Sequence, residues 1–190
     1  MTFPDYGQKL KLPFEDGSFK TIYADPPWPE SGGGRYGVQN HYKLLSISEI
    51  ANMAPEIKRV AAESCSLYLW TTNNYLEKAL RIMKHWGFTY KTTITWMKQT
   101  KGFGQYFRGS TEHCLFGRRG PTEYKYNEDG TRGQGSTGIF VPRLEHSQKP
   151  EQMREMIEKV SFPPYLELFA RSVTVGWTAW GNEVEDLTKS

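Results

Sequence analysis

Asp25, Pro26, Pro27 and Trp28 stand in a row directly after Phe19-Lys20-Thr21-Ile22, a short β-branched and aromatic run that reads as a strand. The two prolines stop that strand, because neither can donate to a sheet ladder. The Asp25 carboxylate is thereby left at the carboxyl end of a strand, where open α/β sheets bind ligands. An ionised Asp accepts hydrogen bonds only, and the Pro26 carbonyl is a second acceptor whose direction the ring fixes. Together they can take both hydrogens of an exocyclic NH₂ group. Trp28 offers a flat face for a base to stack on, a contact worth about 1–3 kcal/mol. Acceptors for an amine beside an aromatic platform describe a pocket for a base such as adenine. The same four residues also suit a surface Pro-Pro turn with a packed Trp.

The elements that must position this stretch fit one domain of 190 residues. Aromatic residues make up 14% of the chain, which argues against disorder. No apolar run approaches the roughly 20 residues of a membrane span. The opening Met1-Thr2-Phe3-Pro4-Asp5 lacks the form of a signal peptide, so a cytoplasmic protein is expected. Cys65 and Cys114 are the only cysteines, far apart, which suits a reducing compartment and excludes a structural zinc motif; no metal is expected. The net charge of +3 is unevenly placed. Residues 91–143 hold nine basic and four acidic residues, an excess that suits phosphates.

Residues 1–18 read as irregular, with Asp16-Gly17 as a turn. Gly32-Gly33-Gly34 reads as a mobile loop or lid after the Asp25 strand. Ser46-Ile47-Ser48-Glu49 is a capping box, and the spacing predicts a helix to about Glu63. A strand is expected over Ser66–Trp70, a helix from about Tyr75 to Trp86 stopped by Gly87, and a strand from Phe88 to Met97. Gly102-Phe103-Gly104-Gln105-Tyr106-Phe107-Arg108 lacks the third glycine of a dinucleotide fingerprint, and its aromatics interleaved with basic residues suit a nucleic-acid strand. Residues 118–138 are expected to form a long mobile loop, and Gly138–Arg143 a short strand. Pro150 opens a helix to about Val160, with Lys149 at its lip, where the dipole favours anions. Tyr165–Arg171 and Gly176–Trp180 read as the last strands.

Asp25-Pro26-Pro27-Trp28 resembles the signature of the MT-A70 family, amino methyltransferases that act on the exocyclic nitrogen of adenine in DNA or messenger RNA. Trp96-Met97-Lys98, Glu112-His113-Cys114-Leu115, Ser147-Gln148-Lys149-Pro150, Glu167-Leu168-Phe169-Ala170-Arg171 and Gly181-Asn182 follow in the order of that family, over Phe19 to Glu183. The resemblance implies a permuted Rossmann-like α/β methyltransferase fold, with a mostly parallel sheet, helices on both faces and the catalytic strand before the cofactor strand. It implies S-adenosyl-L-methionine as cofactor, with Asp25, Lys149, Phe169, Arg171, Asn182 and Glu183 around it. Lys149 would meet the methionine carboxylate, and Arg171 and Asn182 the ribose. Asp25, Pro26, Pro27 and Trp28 would be catalytic, and Trp28, Tyr42, Lys98 and Arg108 would hold the nucleic acid. His113 and Cys114 read as structural, because adjacent strand residues point to opposite faces. The family's Cys-Asp-Ile strand end before the signature has no equivalent in residues 1–18.

The expected activity is therefore adenine N6 methylation. The short chain, without the zinc fingers of larger RNA-modifying relatives, favours DNA of a bacterium or phage. The alternatives are an RNA methyltransferase, a non-catalytic nucleic-acid-binding partner of an active relative, and a methyltransferase for a protein amide. A homodimer or heterodimer is left open.

Overall fold

The computed structural model describes residues 11–29, 44–99, 106–142, 148–181 and 184. Its elements run β1 (Phe19–Ala24), α1 (Ile47–Asn52), α2 (Ala54–Val60), β2 (Ala61–Thr71), a 3-10 turn (Asn73–Tyr75), α3 (Leu76–His85), β3 (Thr89–Met97), β4 (Thr111–Arg119), β5 (Gly138–Ile139), α4 (Glu151–Val160), β6 (Tyr165–Leu168) and β7 (Trp177–Trp180). The strands form one seven-stranded sheet in the order β5-β3-β4-β2-β1-β6-β7. It is mixed α/β and mostly parallel: only β4 runs against its neighbours, β2 and β3.

The strand sequences explain the layering. Side chains alternate across a sheet with period two. Ile22 and Ala24 of β1, Leu67 and Leu69 of β2, Leu115 of β4, and Leu166 and Leu168 of β6 enter one core with Ile50, Ile57, Ile82 and Met83 of α1, α2 and α3. The intervening Tyr23, Tyr68, Trp70, Cys114 and Tyr165 enter a second core with Met153 and Ile157 of α4. One face is thus mainly aliphatic under three helices, and the other is aromatic under one. Both faces being covered is why the strands read as near-continuous apolar runs.

Local signals hold at several ends. Ser46 Oγ accepts the Glu49 N–H at 3.1 Å, and Glu49 Oε2 accepts the Ser46 N–H at 2.7 Å, closing the capping box. Gly87 ends α3 at φ +90, a conformation that a side chain disfavours. Two expectations are corrected, those of a helix and of a strand. The helix expected to reach Glu63 is two helices, because Pro55 has no N–H for the preceding turn, and the strand begins already at Ala61. Of the expected strand Gly138–Arg143, only Gly138–Ile139 is strand among the described residues. The 118–138 segment makes contacts with α4: Lys125 Nζ donates to the Glu158 carbonyl at 2.5 Å, Ser136 N to Met156 Sδ at 3.1 Å, and within the segment Gly133 N donates to Lys125 O at 2.8 Å. A Cβ on Gly133 would lie 2.2 Å from the Lys159 carbonyl, so this contact with the end of α4 requires glycine. The Gly32-Gly33-Gly34 loop lies outside the described residues.

Candidate active site

Asp25 is the first residue beyond β1, which lies between β2 and β6 and is parallel to both. The chain leaves β1 toward β2, and β6 returns on the other side, so the end of β1 is a topological switch point. The Asp25 N–H reaches Leu168 O at 3.5 Å, and the next residue of that strand end, Phe169, has φ +62, a turn conformation usually left to glycine.

Four charged side chains converge here. Lys149 Nζ donates to Asp25 Oδ2 at 2.6 Å and lies 3.4 Å from Glu112 Oε2. Glu112, near the start of β4, is also paired with Lys98, just past β3. The signs alternate along this chain of groups, and the Asp25 and Lys149 side chains are only 25% and 13% exposed. Burial by itself would lower the Lys149 pKa, but the Asp25 and Glu112 carboxylates outweigh it and hold the ammonium above its ordinary value. Burial would likewise raise Glu112, but Lys149 and Lys98 win and hold it below the usual carboxylate value. The Lys149 ammonium also sits 5.4 Å from the Trp70 ring.

The signs define a pH window. A carboxylate with a lowered folded pKa stabilises fully above its ordinary value and loses that contribution as pH falls through the folded value; an amine with a raised pKa stabilises below its ordinary value and loses it as pH rises through the folded one. The network therefore stabilises between the ordinary carboxylate value of 4.5 and the ordinary lysine value of 10.5. Glu112→Gln should leave the acid limb of stability shallower than in the wild type. Urea midpoints measured down from neutral pH test this, and parallel acid limbs would remove Glu112 from the network.

The Pro26 carbonyl accepts the Trp28 N–H at 2.8 Å and keeps a second lone pair; the Pro27 carbonyl accepts Leu45 N at 3.0 Å. Trp28 has the packed setting that the sequence left open beside a stacking face. It is 8% exposed, its indole N–H donates to Trp70 O at 2.9 Å, and its ring stacks on Tyr75 at 5.6 Å. In this arrangement it is a packed support for the Pro-Pro turn and not an open stacking face, because the carbonyl end of β2 fills the space beside it. Lys98 likewise is engaged at Glu112 and over the Trp96 ring. Arg108 and Arg171 are exposed, and Phe169 packs edge-on against Trp180. Tyr42, Asn182 and Glu183 lie outside the described residues. Glu112 is the residue that sequence reasoning missed as a site group. Its signal was pairing opposite Trp96 in the β3–β4 hairpin, which brings it beside Lys98.

His113 and Cys114 are structural in this setting. His113 Nδ1 contacts Thr95 Oγ1 at 3.0 Å and Nε2 contacts Asn73 Oδ1 at 2.8 Å, and burial lowers its pKa. Cys114 faces the aromatic core, where burial first and Asp25 second raise its thiol pKa; burial pushes Cys65 up to about 12. Neither is a ready thiolate.

The profile of the MT-A70 family matches residues 19–183, from the first residue of β1 to beyond β7. The chain belongs to the MT-A70 family. That family is Rossmann-like and methylates adenine at N6, and the seven-stranded α/β sheet agrees with it. The chain is 28% identical to a Type II methyltransferase, M.MunI, of Mycoplasma sp, covering 88% of this chain and 78% of that protein. It is 31% identical to an N6-methyladenosine RNA methyltransferase of Cryphonectria parasitica, covering 87% of this chain and 52% of that protein. It is 30% identical to the N(6)-adenine-specific methyltransferase METTL4 of Homo sapiens, covering 88% of this chain and 38% of that protein. The MT-A70 relatives thus include proteins about twice as long or more.

Among the described residues no helix is long and apolar enough to cross a membrane, and no cluster of His, Cys, Asp or Glu could hold a metal ion. The donor set at the switch point, one ammonium flanked by two carboxylates, suits a zwitterionic amino-acid group, which needs partners of both signs.

Proposed function

We propose that this chain transfers a methyl group from S-adenosyl-L-methionine to the exocyclic N6 amine of adenine in nucleic acid, with DNA the favoured polymer. The observation that carries this reading is the Asp25 carboxylate at the switch point of an MT-A70 sheet, within 2.6 Å of a largely buried ammonium. The cofactor supplies an electrophilic methyl on sulfonium. Lys149 would hold its carboxylate, and Glu112, with Asp25 as a lesser acceptor, would take its ammonium. Phe169, Arg171, Asn182 and Glu183 are proposed as the remaining contacts.

Adenine's amino lone pair is delocalised into the ring and is a poor nucleophile. Asp25 accepts one N–H of the amine, and the free lone pair of the Pro26 carbonyl accepts the other. Both favour a pyramidal nitrogen whose lone pair is available, and both stabilise positive charge growing on it. Holding the amine in line with the methyl supplies much of the rate. Trp28 supports the Pro-Pro turn that aims these acceptors. In a duplex the adenine must first leave the stack, at a cost of a few kcal/mol. DNA is favoured because the match to the Type II methyltransferase spans 78% of that protein, against 52% for the RNA methyltransferase.

Tyr106 and Phe107 support a nucleic-acid substrate. They are 93% and 91% exposed, just before Ser110, which Lys98 N reaches at 2.7 Å at the Glu112 end of the β3–β4 hairpin. Exposed neighbouring aromatics a few residues before the strand that carries Glu112 offer stacking faces. Tyr106→Ala with Phe107→Ala should raise KM for oligonucleotide about tenfold or more, with kcat less affected and the melting temperature unchanged. An unchanged KM would remove the pair from substrate binding.

The direct test is transfer of labelled methyl from S-adenosyl-L-methionine to matched single-stranded DNA, duplex DNA and RNA. Label on DNA adenine supports the proposal, label on RNA alone moves the polymer, and label on neither polymer with cofactor bound rejects a self-sufficient enzyme.

A further inference from the structure

Three basic residues of 91–143 gather away from Asp25. Lys91, Arg118 and Lys125 line a cavity of about 290 Å³ together with Ser66, Phe116, Tyr124 and Ser161. Ser66 pairs with Arg118 across the β2–β4 ladder, whereas Thr71 pairs with His113 at the Glu112 end. Five residues of strand separate the two levels, which is about 17 Å at ~3.3 Å per residue. Through β1 the Ser66 level meets Thr21, four residues before Asp25, so the cavity lies toward the amino ends of the parallel strands, away from Asp25 and under the 118–138 segment.

Its floor is polar and already ordered. Tyr68 Oη and Ser161 Oγ are 2.8 Å apart, and Ser161 Oγ donates to Ser66 Oγ at 3.2 Å. Arg118 Nη1 donates to Ser66 Oγ at 2.9 Å, and its Nη2 donates to Ser64 Oγ and to the Pro121 carbonyl, each at 2.7 Å. Every one of these acceptors is neutral. Among the ion pairs of the described residues none includes Arg118, and its Nε is buried with no partner. A guanidinium held in place by neutral groups retains its demand for an anion. Lys125 also spends its bond on a carbonyl, that of Glu158. Glu123 is the one acid among the cavity's lining residues, so cations outnumber it. The walls are different in kind: Phe116 lies 4.9 Å from Tyr68, and Tyr124, half exposed, carries Arg132 over its ring at 3.6 Å.

Fixed cations above a hydroxyl floor, with aromatic walls, suit a ligand that joins a phosphate to a planar ring. We propose that this cavity binds a nucleotide of the substrate strand some distance from the target adenine, as a second contact that sets how long a nucleic acid must be to bind well. This rests on the methyltransferase reading for the identity of the strand. The shared chemistry is a nucleoside phosphate, held either within a strand or free.

The test measures binding and does not require turnover. Fluorescence anisotropy would follow single-stranded oligonucleotides of about three and about twenty nucleotides with a central adenine; a single neighbour on each side of the adenine, even unstacked, is too short to reach from Asp25 to the cavity. Lys91→Glu and Tyr124→Ala are both surface changes, so thermal melts should match the wild type. Each should weaken the longer strand about fivefold to tenfold and leave the shorter one unchanged. Lys91→Glu should also reduce the slope of log affinity against log salt by about 0.7. Equal effects on both lengths, or none on the longer, would overturn the proposal. Tight binding of free adenosine monophosphate that is lost in both variants, with no length dependence, would assign the cavity to a free nucleotide instead. Loss of methyl transfer to every polymer, with the length dependence intact, would reject the catalytic reading and keep this one.

Discussion

Methyl transfer is expected to fall to background in Asp25→Ala and by about 10²–10³-fold in Asp25→Asn, with cofactor affinity changed far less. The magnitude follows from what the carboxylate does in the proposed reaction. It meets positive charge that grows on the amine nitrogen only as the bond forms, and removing one group of that kind from a preorganised site typically costs about 10²–10³ in kcat. Asn keeps one acceptor oxygen toward the amine but loses the charge, so it should retain more activity than Ala. Lys149 keeps a carboxylate partner in both variants, because Glu112 Oε2 lies 3.4 Å away. The ammonium therefore is not left alone, and the cofactor's carboxylate still finds it. Single-turnover rates with titration calorimetry of the cofactor would separate the two effects. Wild-type turnover in Asp25→Ala would end the assignment, and a parallel loss of cofactor binding would make Asp25 a binding residue alone.

The largest stability effect is expected at Arg154. Its Nε and Nη2 donate to the two carboxylate oxygens of Glu167 at 3.0 and 2.7 Å, a bidentate pair between α4 and β6. The side chains are 17% and 11% exposed, and the guanidinium also faces the Tyr23 ring at 5.8 Å. Burial opposes the charge on Arg154, but Glu167 outweighs it and raises its pKa further. Arg154→Met leaves the Glu167 carboxylate covered and unpaired, which should cost about 3 kcal/mol, the low end for a buried pair because some solvent reaches it. For a chain of this size that is a fall of about 6–12 °C in melting temperature. Arg154→Met combined with Glu167→Leu should recover most of the loss, since two apolar groups leave no uncompensated charge. Urea unfolding of the two variants decides it. If the double variant is as unstable as the single one, the pair's value lies in its packing and not in its charge. A cost under about 0.5 kcal/mol in Arg154→Met would place the pair with ordinary surface salt bridges.

Asp25, its strand, the capping box at Ser46 and Glu49, the stop at Gly87 and Lys149 at the lip of α4 were legible in the sequence because each is set by residues within a few positions along the chain. Runs of β-branched and aromatic residues likewise marked the strands, and the order of motifs marked the family and hence the sheet. What only the tertiary structure decided are the meetings between distant residues. Lys149 reaches Asp25 across 124 positions, and Glu112 joins them because β4 runs antiparallel beside β2 and delivers its first residues to the carboxyl end of the parallel strands. A single acid in a motif does not announce that, since its partner depends on strand order. Trp28 read equally as a stacking face or as a packed Trp, and that it packs on Tyr75 was decided by what the rest of the chain places beside it. The glycine-rich 118–138 segment has the composition of a loose loop, yet it lies on α4, because the sheet face beside that single helix offers surface to cover. Short-range patterns fix backbone conformation and the face a side chain takes; long-range packing decides which charges meet and which surfaces remain open.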